Sequence, residues 1–251
     1  MKKMIFIAAS ILAFAACNKE VISTPEAGTG VLMLSVESDD CVNVATKASV
    51  ATTDFNVSIV NDEDQVVKSG TPGTLSVVVL PADTYVIKAE NISEDAALTN
   101  NDGKGQLRMA GQCEPFALAQ SQTVTKTVSC VPTNSKITVT FDASFNAAFP
   151  TKNVDLDQTH GGDRDFTAIT AGTEYFYNIT EGSKVDVKLT ATSAASVNVS
   201  HTQNITLAVG YHYAITYSAT TDGQLQVSVS ASDDLTQSNM NIPVNPYQPA
   251  A

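Results

Sequence analysis

Tryptophan is absent and aromatic residues make up only 6% of the 251-residue chain, so a sugar-stacking site would lack its commonest anchor. Basic residues are scarce as well. Against 26 Asp and Glu stand 14 Lys and Arg, the formal net charge is −12, and no basic cluster occurs, which makes nucleic acid a poor partner. The same charge repels anionic lipid head groups, so membrane attachment has to come from something other than the protein surface. There is no Gly-x-Ser-x-Gly elbow, no His-Glu-x-x-His pair and no glycine-rich phosphate loop, and His160, His201 and His212 lie far apart. Neither enzymatic activity nor a cofactor is expected. The cysteines, Cys17, Cys41, Cys113 and Cys130, are too widely spaced to imply a metal site.

The apolar run at residues 4–14 is too short to span a bilayer, yet it follows Lys2 and Lys3 and leads through Ala15 and Ala16 to Cys17. This is the layout of a cleaved export signal over residues 1–16, with Cys17 as the lipidation site. Phe14 stands where a lipobox usually has Leu, Val or Ile, and an ordinary secreted protein with an incidental cysteine is the alternative. Acyl chains such as palmitate on Cys17 would then hold the chain to the outer membrane, at the cell surface. Asn18-Lys19-Glu20 supplies only one acidic residue after the cysteine, so the periplasmic face stays open as an alternative. Residues 17–30 are polar, with Pro25, Gly28 and Gly30, and suit a flexible tether.

What is abundant is Val, Thr, Ser and Ala, the composition of many short strands, and the expected class is all-β. Strands are expected at 31–36, 54–60, 65–68, 75–79 and 84–89, then at 106–118 with a break near Gly111 or Pro115, and at 123–131. Residues 91–105 read as a polar loop. After Pro132 the alternation resumes in Ile137, Val139 and Phe141, with further strands at 152–156, 165–169, 174–179, 184–192, 197–200, 205–209, 211–219 and 225–230. This divides the chain into an N-terminal β-sandwich at 31–131, a C-terminal β-sandwich at 132–232 and an extended tail at 233–251. A weak echo links the halves: Tyr85 and Ile87 align with Tyr213 and Ile215 if the second turn is one residue longer.

If the strand ending near Ala119 turns at Ser121 and Gln122, Cys113 and Cys130 fall roughly opposite each other as a candidate disulfide. Buried free thiols are the competing reading. The acidic pairs Asp62 and Asp64, Asp155 and Asp157, and Asp163 and Asp165 lack the further oxygen ligands of a calcium loop and read as solvated turns, so no metal is expected. Tyr211, Tyr213 and Tyr217 share a face with Ile215, and Tyr175 and Tyr177 with Ile179; packing is favoured over a sugar platform.

Residues 80–89, Leu-Pro-Ala-Asp-Thr-Tyr-Val-Ile-Lys-Ala, resemble the Leu-Pro-x-Gly-x-Tyr-x-Val-x-Ala turn of transthyretin-like sandwiches, with Asp83 in the glycine position. Together with the lipid cysteine, the tether, the Thr46-Lys47-Ala48 segment and the run from Asn134 to Phe141, the order of features resembles the fimbrillin-like lipoproteins of Bacteroidetes, in a domain-of-unknown-function branch. That resemblance implies tandem transthyretin-like or Ig-like β-sandwiches and a fimbrial or adhesion-type structural, anchor or accessory subunit. It implies processing at Lys47, which would release residues 31–36 and open a groove for strand exchange with other subunits, the tail being a candidate donor. The alternative is a monomeric surface lipoprotein that binds a glycan or a protein, with nothing in the residues to support a particular glycan.

Overall fold

The computed structural model describes residues 27–38, 50–220, 225–232 and 237–244, the last of these as backbone. The first half contains β1 (Thr29–Ser38), β2 (Asn56–Asn61), β3 (Val66–Gly70), β4 (Val77–Pro81), β5 (Asp83–Glu90), α1 (Glu94–Thr99), β6 (Met109–Gln112), β7 (Phe116–Leu118) and β8 (Thr123–Pro132). Their hydrogen-bonded order is β3-β2-β5-β6-β8-β1-β4, with β7 on β5. Strand β5 divides its length between two neighbours: Asp83–Tyr85 pair with β7 and Lys88–Glu90 with β6. The sheet therefore closes over one core, to which alternate residues of each strand contribute, among them Leu32, Val57, Ile59, Tyr85, Ile87 and Val128.

The second half contains β9 (Asn134–Phe141), α2 (Ala143–Ala148), β10 (Thr151–His160), β11 (Asp165–Phe166), β12 (Glu174–Asn178), β13 (Lys184–Thr192), β14 (Asn198–Thr206), β15 (His212–Ala219), β16 (Leu225–Ser232) and β17 (Gln237–Val244). Two sheets, ordered β11-β10-β13-β14 and β12-β9-β15-β16-β17, enclose a second cluster running from Ile137 to Val227, which shares no residue with the first. Among the described residues the chain is all-β apart from two six-residue helices and a short 3-10 turn. Residues 237–244, expected as part of an extended tail, pair antiparallel with β16 and extend that sheet.

Both helices are made by their caps. Ser93 Oγ accepts from Ala96 N at 3.2 Å, converting part of the expected loop 91–105 into α1. Asp142 does the same for α2, accepting from Phe145 N at 2.8 Å, and the turn drives Phe145 and Phe149 into the second core. The halves are tied together at α1 and the turn that follows it: Asn178 Nδ2 donates to Glu94 Oε1 at 3.2 Å, and Phe176 N to Lys104 O at 2.9 Å. Arg164 Nη2 crosses to the carbonyls of Leu98 and Gly103.

The internal echo has a structural counterpart. In the first half the Tyr85 hydroxyl donates to Pro81 O, four residues back, at 2.9 Å; in the second the Tyr213 hydroxyl accepts from Ala208 N, five residues back, also at 2.9 Å. Each tyrosine ties its strand to the preceding turn, and the second turn is the longer by one residue.

The candidate disulfide is not formed, and Cys113 and Cys130 are free thiols. The β6–β8 register sets Ala110 opposite Val131, and Cys113 lies beyond the end of β6, against β5, where its sulfur accepts from Ile87 N at 3.3 Å. Cys130 is fully buried, donates to Ala89 O at 3.6 Å, and has its thiol pushed up to about 11 by burial. Close approach of β6 and β8 rests on Gly111, whose missing Cβ would lie 2.0 Å from Ser129 O. Gly111→Ala should therefore cost about 3 kcal/mol by urea unfolding. A loss below about 1 kcal/mol would mean that β6 can back away from β8.

Candidate functional site: the seat of strand β1

Strand β1 lies between two strands that do not pair with each other. It runs parallel to β8, from Val31 opposite Thr123 to Ser38 opposite Cys130, and antiparallel to β4, from Thr29 opposite Pro81 to Met33 opposite Val77. No hairpin joins it to either, so its place depends on side-chain burial and ladder bonds. Leu32 is 0% exposed, Leu34 and Val36 are 7% exposed, and all three point into the first core. Withdrawing β1 would leave a slot with β4 on one side and β8 on the other, floored by apolar side chains.

Among the described residues no strand pairs with the far side of β4. Ala82 N bonds to Gly28 O at 2.8 Å and Leu34 N to Ser76 O at 2.9 Å, so the even-numbered residues of β4 face β1. The backbone groups of Val77 and Val79 turn to the outside, and Pro81 brings no N–H to that edge. The outward side chains here are apolar: Met33, Val77 and Val79 are exposed and adjacent in register. An unpaired edge with such side chains is the kind of border that other strands extend. The expected strand 75–79 thus turns out to be a half-buried edge strand shifted to 77–81, with every second residue exposed.

Of the residues singled out in the sequence, Cys17, Cys41 and Lys47 lie outside the described residues. The histidines are dispersed: His201 faces Leu189 across β13 and β14, whereas His212 bonds to Thr138 Oγ1 through Nε2 at 2.8 Å. The acidic pairs are absorbed locally. Asn61 Oδ1 accepts from Glu63 N and Gln65 N to build the turn carrying Asp62 and Asp64. Asp155 accepts from Ala168 N, Asp165 from Gln158 N, and Asp157 is paired with Lys188. Among the described residues no group of three acidic, His or Cys side chains is placed to hold a metal. Tyr175, Tyr177, Tyr213 and Tyr217 are buried in the second core, and Tyr211 is half-buried and packs against it, its ring 6.1 Å from that of Tyr213.

His212 carries a pH dependence. Burial, reinforced by Lys136 and opposed by Glu174, lowers its pKa to about 4 from an ordinary 6.5. The folded ring stays neutral while the unfolded ring takes up a proton below pH 6.5, so stability is complete above 6.5 and declines as pH falls towards 4. A shift of that size sets a limit of about 3 kcal/mol, reduced to about 1–2 kcal/mol because the ring is partly exposed. His201, lowered by burial, adds to the same trend. His212→Gln should flatten the fall in melting temperature over pH 6.5–4; an unchanged slope would place the acid sensitivity elsewhere.

The family model described as "Domain of unknown function (DUF4493)" matches residues 28–246. No curated protein matches the chain. Among solved structures, the chain is similar to a fimbrial assembly protein from Parabacteroides distasonis, with 12% identity, TM-score 0.46, and 80% of this chain and 94% of that one covered. It is also similar to the fimbrial anchor protein Mfa2 from Porphyromonas gingivalis, with 9% identity, TM-score 0.41, and 83% and 99% covered.

Proposed function

The chain belongs to the DUF4493 family, and from the geometry of β1 and its seat we propose that it is a non-catalytic subunit of a cell-surface adhesive fibre, acting as structural, anchor or accessory component. The observation that carries this reading is the slot: among the described residues β1 alone links β4 to β8, and its chain continues into residues 39–49, which contain Lys47. A cut after Lys47 would leave β1 held by non-covalent contacts alone. A strand from another subunit could then take the same ladder bonds and fill the positions of Leu32, Leu34 and Val36. The signal-like N-terminus supports delivery to the envelope, with acyl chains on Cys17 holding the uncut form to the outer membrane.

The intact mass of the native protein from membranes tests both parts. A chain beginning at an acylated Cys17 marks an anchor or accessory subunit, and a chain beginning at Ala48 marks a polymerising one. A chain that starts upstream of β1 with no acyl mass on Cys17 overturns the proposal.

A further inference from the structure

The seat of β1 is tightest at its beginning. On the β4 side Gly28 O accepts from Ala82 N at 2.8 Å; on the β8 side Thr29 O accepts from Ser121 N at 2.7 Å, and Val31 N donates to Gln122 O at 2.8 Å. The backbone of residues 28–31 is thus gripped from both sides. Residues 35–38, by contrast, pair with β8 alone among the described residues.

Gly30 sits in this grip, buried, on the core-facing side that Leu32 and Leu34 continue. A Cβ placed on it would lie 2.7 Å from Ala119 O, 2.7 Å from Leu118 Cγ and 2.8 Å from Leu118 Cδ1, all well inside van der Waals contact. Neither neighbour is free to give way. Leu118 is buried in the first core, and its backbone pairs with Asp83 of β5. Ala119 belongs to the turn into β8, where Gln122 N donates to Ala119 O at 3.1 Å, Gln122 Oε1 accepts from Ala119 N at 2.8 Å, and Ser121 takes a φ of 59°. The turn is closed on itself, so its carbonyl is a fixed stop.

We propose that this mouth selects the strand that fills the slot: an extended segment of a different subunit, with glycine at the place of Gly30 and apolar residues two, four and six places further on. The proposal rests on the strand-replacement reading above and adds the chemistry of the partner. It also excludes the chain's own tail as donor to a second copy. Ser238, Met240, Ile242 and Val244 repeat the spacing of Gly30, Leu32, Leu34 and Val36, yet Ser238 would put a Cβ on the stop. Pro243 would fall at the place of Ser35, whose N–H faces β8 because odd positions of β1 bond that strand, as Val31 does. The slot is therefore shaped for a foreign strand rather than for chains of identical copies.

The test uses the full chain cut within residues 39–49 at an introduced protease site, and reads uptake of isotope-labelled peptides by native mass spectrometry. The peptides are residues 29–38, the same peptide carrying Gly30→Ala, the same carrying Glu37→Ala on the exposed face as control, and residues 237–246 of the tail. Residues 29–38 and the Glu37→Ala peptide should enter equally well, with the Gly30→Ala peptide and the tail peptide at least about tenfold weaker. Equal uptake of the Gly30→Ala peptide, or a tail peptide that enters as readily as residues 29–38, would overturn the proposal and leave strand replacement standing. No uptake of any peptide, residues 29–38 included, would overturn both.

Discussion

A chain that begins at Ala48, made without β1, should fail to remain a stable monomer. Its first core would lose Leu32, Leu34 and Val36, each buried to 7% exposure or less. At about 1.5–3 kcal/mol per fully buried aliphatic side chain the loss comes to about 5–8 kcal/mol, comparable with the whole stability of an ordinary domain. The ladder bonds to β8 and β4 go with it, and both strands are left with free edges. The expected result is concentration-dependent association on size-exclusion chromatography and binding of a hydrophobic dye, both suppressed by a synthetic peptide of residues 29–38. A truncated chain that stays monomeric with the melting temperature of the full chain would show that β1 is dispensable.

The second large effect lies in the other core. Phe145 is fully buried, with its ring 5.2 Å from Phe141, 4.7 Å from Phe149 and 5.8 Å from Tyr217, centroid to centroid. Phe145→Ala removes the centre of this stack, and α2 is too short to close the cavity by itself. A loss of about 4 kcal/mol and a fall in melting temperature of roughly 10 °C are expected, read by calorimetry. Tyr217→Phe is the matched control. The Tyr217 hydroxyl is buried with no hydrogen-bond partner among the described residues, so its removal should be neutral or stabilising by up to about 1 kcal/mol. A Phe145→Ala loss below about 1.5 kcal/mol would mean that the stack can rearrange around the gap.

Much of the strand content was legible because one face of a strand buries every second residue. Val57 and Ile59 in β2, and Ile137 and Val139 in β9, carry that period undisturbed, and the all-β class follows from it. The proline-bearing turn before Tyr85 was also legible, since its tyrosine needs a partner close in sequence. The helices were not, because six residues make fewer than two turns and leave no room for a 3.6-residue period; Ser93 and Asp142 were the available signals. Strand β14 reads as two pieces, 197–200 and 205–209, because the core-facing positions between Val199 and Ile205 carry the polar His201 and Gln203, which interrupt the apolar alternation.

The cysteine pairing failed for a related reason. Pro115 separates β6 from β7, and that break leaves Cys113 against β5 rather than opposite Cys130, a register set by long-range pairing and not by spacing. The slot around β1 was foreshadowed by the resemblance, yet its two walls were not, since parallel pairing with β8 joins residues some ninety apart.

The central claim is that β1 is a replaceable part of the sheet of the first half. It is tested most directly by placing a specific protease site within residues 39–49, cutting the folded chain, and adding an isotope-labelled peptide of residues 29–38 under native mass spectrometry. Replacement of the resident strand by the labelled peptide, with the rest of the chain still folded, is the predicted result. A cut chain that never takes up the label, or that unfolds as soon as it is cut, would contradict it.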